Sequence, residues 1–207
     1  MNQTNLSEDH IDALGEIMNI SYGLATSIIS DSIETQATLH VPKIEVLDVD
    51  ELPEFINSKT DPGSRYYVSI QVFLNRMDGE SIFMIDETSS KNVASIFMNF
   101  DDIEIENEDD VRSCIHELSN ILTSACIGKL AELLELDVFF HPPKVEIKKG
   151  AKVAEYKTDK FSKVIVVETV MDFEEEKVKG LLIFLMKEGS FQCLTEALDN
   201  FIENYEV

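Results

Sequence analysis

Apolar residues recur through residues 7–32 at the spacing of a helix that buries one side. With Leu14 as zero and about 100 degrees per residue, Ile11, Leu14, Ile17, Met18, Ala25, Ile28 and Ile29 fall within about 60 degrees of one direction. Asp12, Glu16, Asn19 and Gly23 fall on the opposite side, at roughly 140 to 200 degrees. Ser7 offers an N-cap, and Glu8 and Asp9 place negative charge in the first turn. The same pattern predicts a second long helix over about 108–136. Ile115, Leu118, Leu122, Cys126, Leu130 and Leu133 point inward there, and Ser113, Glu117, Asn120 and Ser124 lie opposite. Two shorter helices are expected. One covers 86–100, capped by Ser89 or Ser90, with Val93, Ile96, Phe97 and Phe100 inward; the other covers 190–204.

Between the helices the period changes to two. Strands are predicted around 37–48, 65–75, 80–85, 138–148, 162–172 and 179–186. Pro42 confines the first of these to an edge or a bend. In the second, Val68, Ile70 and Val72 form the apolar face, with Tyr67, Ser69 and Gln71 on the other. Met77-Asp78-Gly79 turns the chain into a hairpin. Residues 49–64 read as loop or short irregular helix, 148–152 as a solvated basic turn, and 1–5 as a frayed end. The expected fold class is α+β: a six-stranded, mainly antiparallel sheet with two long helices packed on one face, plus two shorter helices.

The pattern is written twice. Glu16, Asn19 and Pro42 recur as Glu117, Asn120 and Pro143, an offset of 101 residues each time. His40–Val46 aligns with His141–Ile147, Gly79 with Gly180, Ile82-Phe83 with Ile183-Phe184, and Phe100 with Phe201, with no gap expected. The chain is read as a single domain, 1–207, of two repeats, about 6–106 and 107–207, around a pseudo-twofold axis. The acidic junction 101–110 is not a Gly/Ser linker.

Charge narrows the partners. The net charge of −23 disfavours nucleic acid and anionic membrane surfaces, and suits a partner with a basic rim or a bound cation. No apolar run approaches a membrane span, and the N-terminus carries no signal-peptide pattern. Cys114, Cys126 and Cys193 form no CxxC and read as buried or half-buried thiols of a reducing compartment, so the protein is expected in the cytoplasm. His40 and His141 occupy matched positions but lack ligand-spaced neighbours, so no metal site is assigned and both read as half-buried strand residues. His116 reads as a surface residue. An isolated exposed Glu-x-x-Asn is ordinary helix surface. A second copy, with 22 residues again separating the Asn from a proline, is not. The small Gly23 and Ser124 leave room for another molecule.

An acidic residue or Ser, three residues, Glu, two residues, Asn, 22 residues, then Pro: this pattern resembles that of the CheC/CheX/FliY family of chemotaxis phosphatases. Asp12, Glu16, Asn19 and Pro42 match it, and Ser113, Glu117, Asn120 and Pro143 match it again. Two sites in one chain resemble the CheC-type members. CheX-like chains are shorter and usually keep one site, and FliY-like chains add a switch domain for which 207 residues leave no room. Met18 and Ser21 in the first copy, and Ser119 and Leu122 in the second, stand where members often carry glycine.

The resemblance implies a phosphatase acting on the aspartyl phosphate of the response regulator CheY. Asn19 and Asn120 would orient the attacking water, and Glu16 and Glu117 would pair with a lysine of the regulator. Asp12, Gly23, Pro42, Ser113, Ser124 and Pro143 would support docking and the motif, the prolines structurally. The required Mg²⁺ belongs to CheY, and no cofactor of the chain's own is implied. An acyl phosphate is already activated, so positioning matters more than a strong base. A side-chain amide can both accept from and donate to one water. The rival is a non-catalytic binding module that sequesters phosphorylated CheY or regulates the deamidase CheD. Intact Asn at both sites favours catalysis.

Overall fold

The computed structural model describes residues 6–33, 36–98, 107–156, 159–173 and 176–205. The first half contains α1 (Glu8–Ile33), β1 (Ala37–Asp48), a 3-10 turn (Val49–Glu51), α2 (Leu52–Lys59), β2 (Arg65–Asn75), β3 (Gly79–Asp86) and α3 (Glu87–Met98). The second contains α4 (Glu108–Leu133), β4 (Val138–Phe140), β5 (Lys144–Lys149), α5 (Gly150–Val153), β6 (Lys163–Phe173), β7 (Glu176–Met186) and α6 (Glu188–Tyr205). The expectations for residues 1–5, for Phe100 and for most of the acidic junction lie outside the described residues.

The long helices begin where their caps put them. Ser7 Oγ accepts from the His10 N–H at 3.2 Å, as expected, and the Asn107 side chain accepts from the Asp109 N–H at 3.1 Å. α3 is capped by Asp86 instead of Ser89 or Ser90: its carboxylate accepts from the Ser89 N–H at 3.0 Å, and Ser90 Oγ donates to the Asp86 carbonyl.

The strands form one antiparallel sheet in the order β1-β6-β7-β3-β2-β4, with β5 also paired to β2. Ile82 on β3 pairs directly with Ile183 on β7, its own counterpart in the repeat. The first strand of each half pairs within the other: β1 on β6, and β4 and β5 on β2. Two expectations change here. The strand predicted over 138–148 is broken at His141-Pro142-Pro143, because prolines have no N–H for the ladder, so the described residues form seven strands where six are expected. β1 meets the same problem at Pro42 with a register shift between His40 and Lys43. The offset is also not gap-free. β2 starts at Arg65 and β6 at Lys163, 98 residues on, and the hairpins close at Phe73↔Gly79 and at Phe173↔Glu176.

Both faces of the sheet are covered. α1, α3, α4 and α6 enclose the larger core with Phe73 and Phe184, whose rings meet edge-on at 6.4 Å. On the opposite face α2 and α5 cover Val68, Ile82, Val164, Val166 and Ile183. The expected polarity of β2 is therefore revised. Tyr67, Ser69 and Gln71 are buried on the face beneath α4, where Ser69 bonds Ser119 at 2.7 Å. The 148–152 stretch is not a solvated turn. It ends β5 and opens α5 at Gly150, where a Cβ would lie 2.2 Å from the Asp61 carbonyl oxygen.

Candidate functional site

α1 and α4 pack against each other, and each turns its Glu/Asn side away from the core. On α1, Asp12, Glu16, Asn19 and Gly23 are all exposed. A Cβ at Gly23 would meet nothing within 4 Å, so the space beside Asn19 is open. Neither Glu16 nor Asn19 has a side-chain hydrogen bond or ion pair among the described residues. Beside them runs an apolar ridge, Ile20 (50% exposed), Leu24 (47%) and Ile28 (40%). Ile28, expected inward, belongs to this ridge. The i, i+4, i+8 spacing of the three was the signal for it. Beneath Asn19, Tyr22 is fully buried. Its hydroxyl meets Thr169 Oγ1 at 2.6 Å, and burial raises its pKa well above the ordinary tyrosine value.

The α4 site differs. Ser113 and Glu117 are exposed, whereas Asn120 and Ser124 are half-buried. Ser113 Oγ turns back to its own helix, donating to the Asp109 carbonyl at 2.9 Å. Asn120 Oδ1 accepts from Gln71 Nε2 at 3.0 Å, and the same nitrogen donates to the His141 carbonyl at 3.0 Å. The His141 N–H donates to the Val72 carbonyl at 2.9 Å, and Pro143 is buried. The structure thus joins Asn120 to the strand break at His141-Pro142-Pro143 through Gln71, a residue that sequence reasoning missed. Its signal was faint: one amide on the face of β2 opposite the apolar one. The side chain of Pro42 lies outside the described residues.

The described residues contain no His/Cys/Asp/Glu group arranged to hold a metal. His40 Nε2 sits 3.3 Å from Asp172, and both His40 and His141 are exposed, not half-buried as expected; His116 is half-buried, not on the surface. Cys114 and Cys126 are buried on α4, and desolvation pushes the Cys114 thiol up to about 11 and that of Cys126 higher still, which makes both poor nucleophiles. What each helix offers is an outward amide and an exposed carboxylate. That set can hold a water and meet a cation.

No family model matches the chain. A Bacillus subtilis protein named CheY-P phosphatase CheC is 25% identical over 202 residues, covering 93% of this chain and 95% of the relative. The flagellar motor switch phosphatase FliY of the same organism is 20% identical over 146 residues, covering 69% of this chain and 37% of that protein. The crystal structure of Thermotoga maritima FliY superposes with a TM-score of 0.75 at 22% identity, covering 95% of this chain and 98% of that one. The chain is similar in sequence and fold to CheC/CheX/FliY proteins. The fold is that of CheC/CheX/FliY proteins, an antiparallel sheet with the motif-bearing helices on one face. No described helix is long and apolar enough to cross a membrane.

Proposed function

We propose that the chain is a phosphatase that hydrolyses the aspartyl phosphate of CheY. Asn19 and Asn120 orient the water, and Glu16 and Glu117 engage a cationic group of the regulator. The observation that supports this best is the repeated outward Glu/Asn pair, mounted on two long helices that are rigidly packed from below. The water attacks phosphorus, the bond from phosphorus to the aspartyl oxygen breaks, and the electron pair leaves with the aspartate. Products are inorganic phosphate and the free carboxylate of CheY. Helical mounting keeps the amide in place without a covalent intermediate. Asp12, Gly23, Ser113 and Ser124 flank the docking surface, and Pro42 and Pro143 shape the strands beside it. Mg²⁺ is supplied by CheY. The two repeats act as one domain, and the chain works in the cytoplasm.

A second reading has support at α1. The exposed ridge of Ile20, Leu24 and Ile28 suits a docking surface, and a module that sequesters phosphorylated CheY or regulates CheD would use it. Decay of phosphorylated CheY with Mg²⁺ separates the two. The wild type accelerates decay, and Asn19→Ala together with Asn120→Ala removes on the order of a hundredfold or more of that rate. A wild type that binds phosphorylated CheY without accelerating its decay rejects the phosphatase and leaves the binding module.

A further inference from the structure

Gln71 is 1% exposed in the middle of β2. Its Nε2 serves two acceptors, Asn120 Oδ1 and the His141 carbonyl, each at 3.0 Å, while its Oε1 has no partner among the described residues. Burying an unpaired carbonyl lowers stability.

The orientation of this relay is dictated from the backbone. The His141 carbonyl can only accept, so the end of Gln71 that faces it is the NH₂. The second hydrogen of that NH₂ needs an acceptor, which turns the oxygen of Asn120 inward. Asn120 keeps both Nδ2 hydrogens and one Oδ1 lone pair for other partners. The His141 carbonyl is available because Pro142 and Pro143 interrupt the strand after His141, whose N–H is fixed on Val72. α1 has no equivalent relay among the described residues, and Asn19 stands exposed.

We propose that Gln71 is a positioning residue of the α4 site. It locks the amide of Asn120 in one orientation, relayed from the His141 carbonyl, so α4 presents a water-orienting group that is set before CheY arrives. Asn19 is set only on docking. This deepens the phosphatase reading and rests on it. The motif proline Pro143 gains a reason as well, since opening the strand there frees the one carbonyl that fixes the amide.

The test is Gln71→Met, which keeps the length of the side chain and removes both donors. In the Asn19→Ala chain, where α4 alone remains, kcat for phosphorylated CheY falls on the order of tenfold, KM holds, and Tm is unchanged or higher. Combined with Asn120→Ala it removes nothing further, because the two residues act as one unit. Without CheY, the side-chain ¹⁵N–¹H₂ signals of Asn120, assigned by their loss in Asn120→Ala, shift or broaden in Gln71→Met. An unchanged kcat overturns the proposal, as does a kcat loss that follows a fall in Tm. If the wild type has no phosphatase activity the functional reading fails, and the Asn120 signals alone then decide: unmoved signals overturn the relay.

Discussion

The α1 and α4 sites carry the same Glu and Asn at the same interval, yet they are not the same site. On α1 the motif stands on open surface beside Ile20 and Leu24, which are 50% and 47% exposed. On α4 the matching residues, Ile121 and Ala125, are 7% and 5% exposed. The cause lies outside the helices. α4 packs over β2, β4 and β5 and beside α1 and α3, whereas α1 touches β1, α3, α4 and α6. The two halves also pass their prolines differently. β1 absorbs Pro42 in a register shift, while the second half breaks at 141–143 and leaves the His141 carbonyl for Gln71. A duplicated motif does not make a duplicated site, because each helix borrows its surroundings from strands that have diverged.

The first way to break that comparison is at its symmetric base. Ile17 and Leu118 are repeat counterparts, each 0% exposed. Ile17→Ala and Leu118→Ala should each cost about 2–5 kcal/mol in urea unfolding. A large cost for one and almost none for the other would show that the cores, and not only the sites, have diverged. One layer outward the halves part. Ile121→Ser should cost roughly 1–3 kcal/mol, while Ile20→Ser at the matched position stays within about 0.5 kcal/mol. Equal costs would mean that the α1 ridge is covered. A smaller effect is expected from the carboxylates. Glu16→Gln and Glu117→Gln should each raise KM for phosphorylated CheY severalfold, by roughly the 1 kcal/mol of an exposed charge pair, with kcat little changed. The effect should fade in high salt. A fall in kcat at constant KM would give the glutamates a role in the chemical step.

Much of this was legible in the chain. Long periodic segments with caps place α1 and α4 within a few residues, since a stripe of apolar residues over 26 positions admits few alternatives. The Glu/Asn pairs were visible for the same reason: a helix wheel shows what points away from the core. Other features depended on distant partners. α2 falls where loop or short irregular helix is expected and α5 where a turn is, but both are too short for periodicity to assign a buried side, so the second covered face of the sheet is not legible. Ser69 and Gln71 stand on the face opposite the apolar Val68, Ile70 and Val72, yet they too are buried, against Ser119 and Asn120, 50 and 49 residues away. The Pro142-Pro143 pair announced a disturbance in the strand but not that the freed carbonyl would be used. The hairpin shift between the halves was hidden by identities on either side of it.

The smallest effect concerns how the two helices are moored at their first turns. α1 is tied to α6 through His10 Nε2 and Asp199 at 2.8 Å. α4 is tied to the start of β2 through Arg65, whose Nη2 meets Glu108 at 2.5 Å while its Nη1 reaches Glu87 at 3.1 Å. Arg65 holds the Glu108 carboxyl below the ordinary glutamate value. A carboxyl depressed in the folded state stabilises above its unfolded pKa, and that contribution is lost as pH falls through the folded value. The urea midpoint of the wild type should therefore exceed that of Glu108→Gln near neutral pH, and the gap should close on acidification. Because the pair is exposed, high salt should close it too. A gap that persists in acid would assign the stabilisation to something other than this ion pair. Glu117 and Asn120 lie more than two turns further along α4, over its well-packed part. Acid should thus speed amide exchange at residues 108–111 while the Asn120 side-chain signals stay put. If both move together, the α4 site is held by its first turn as well as by Gln71.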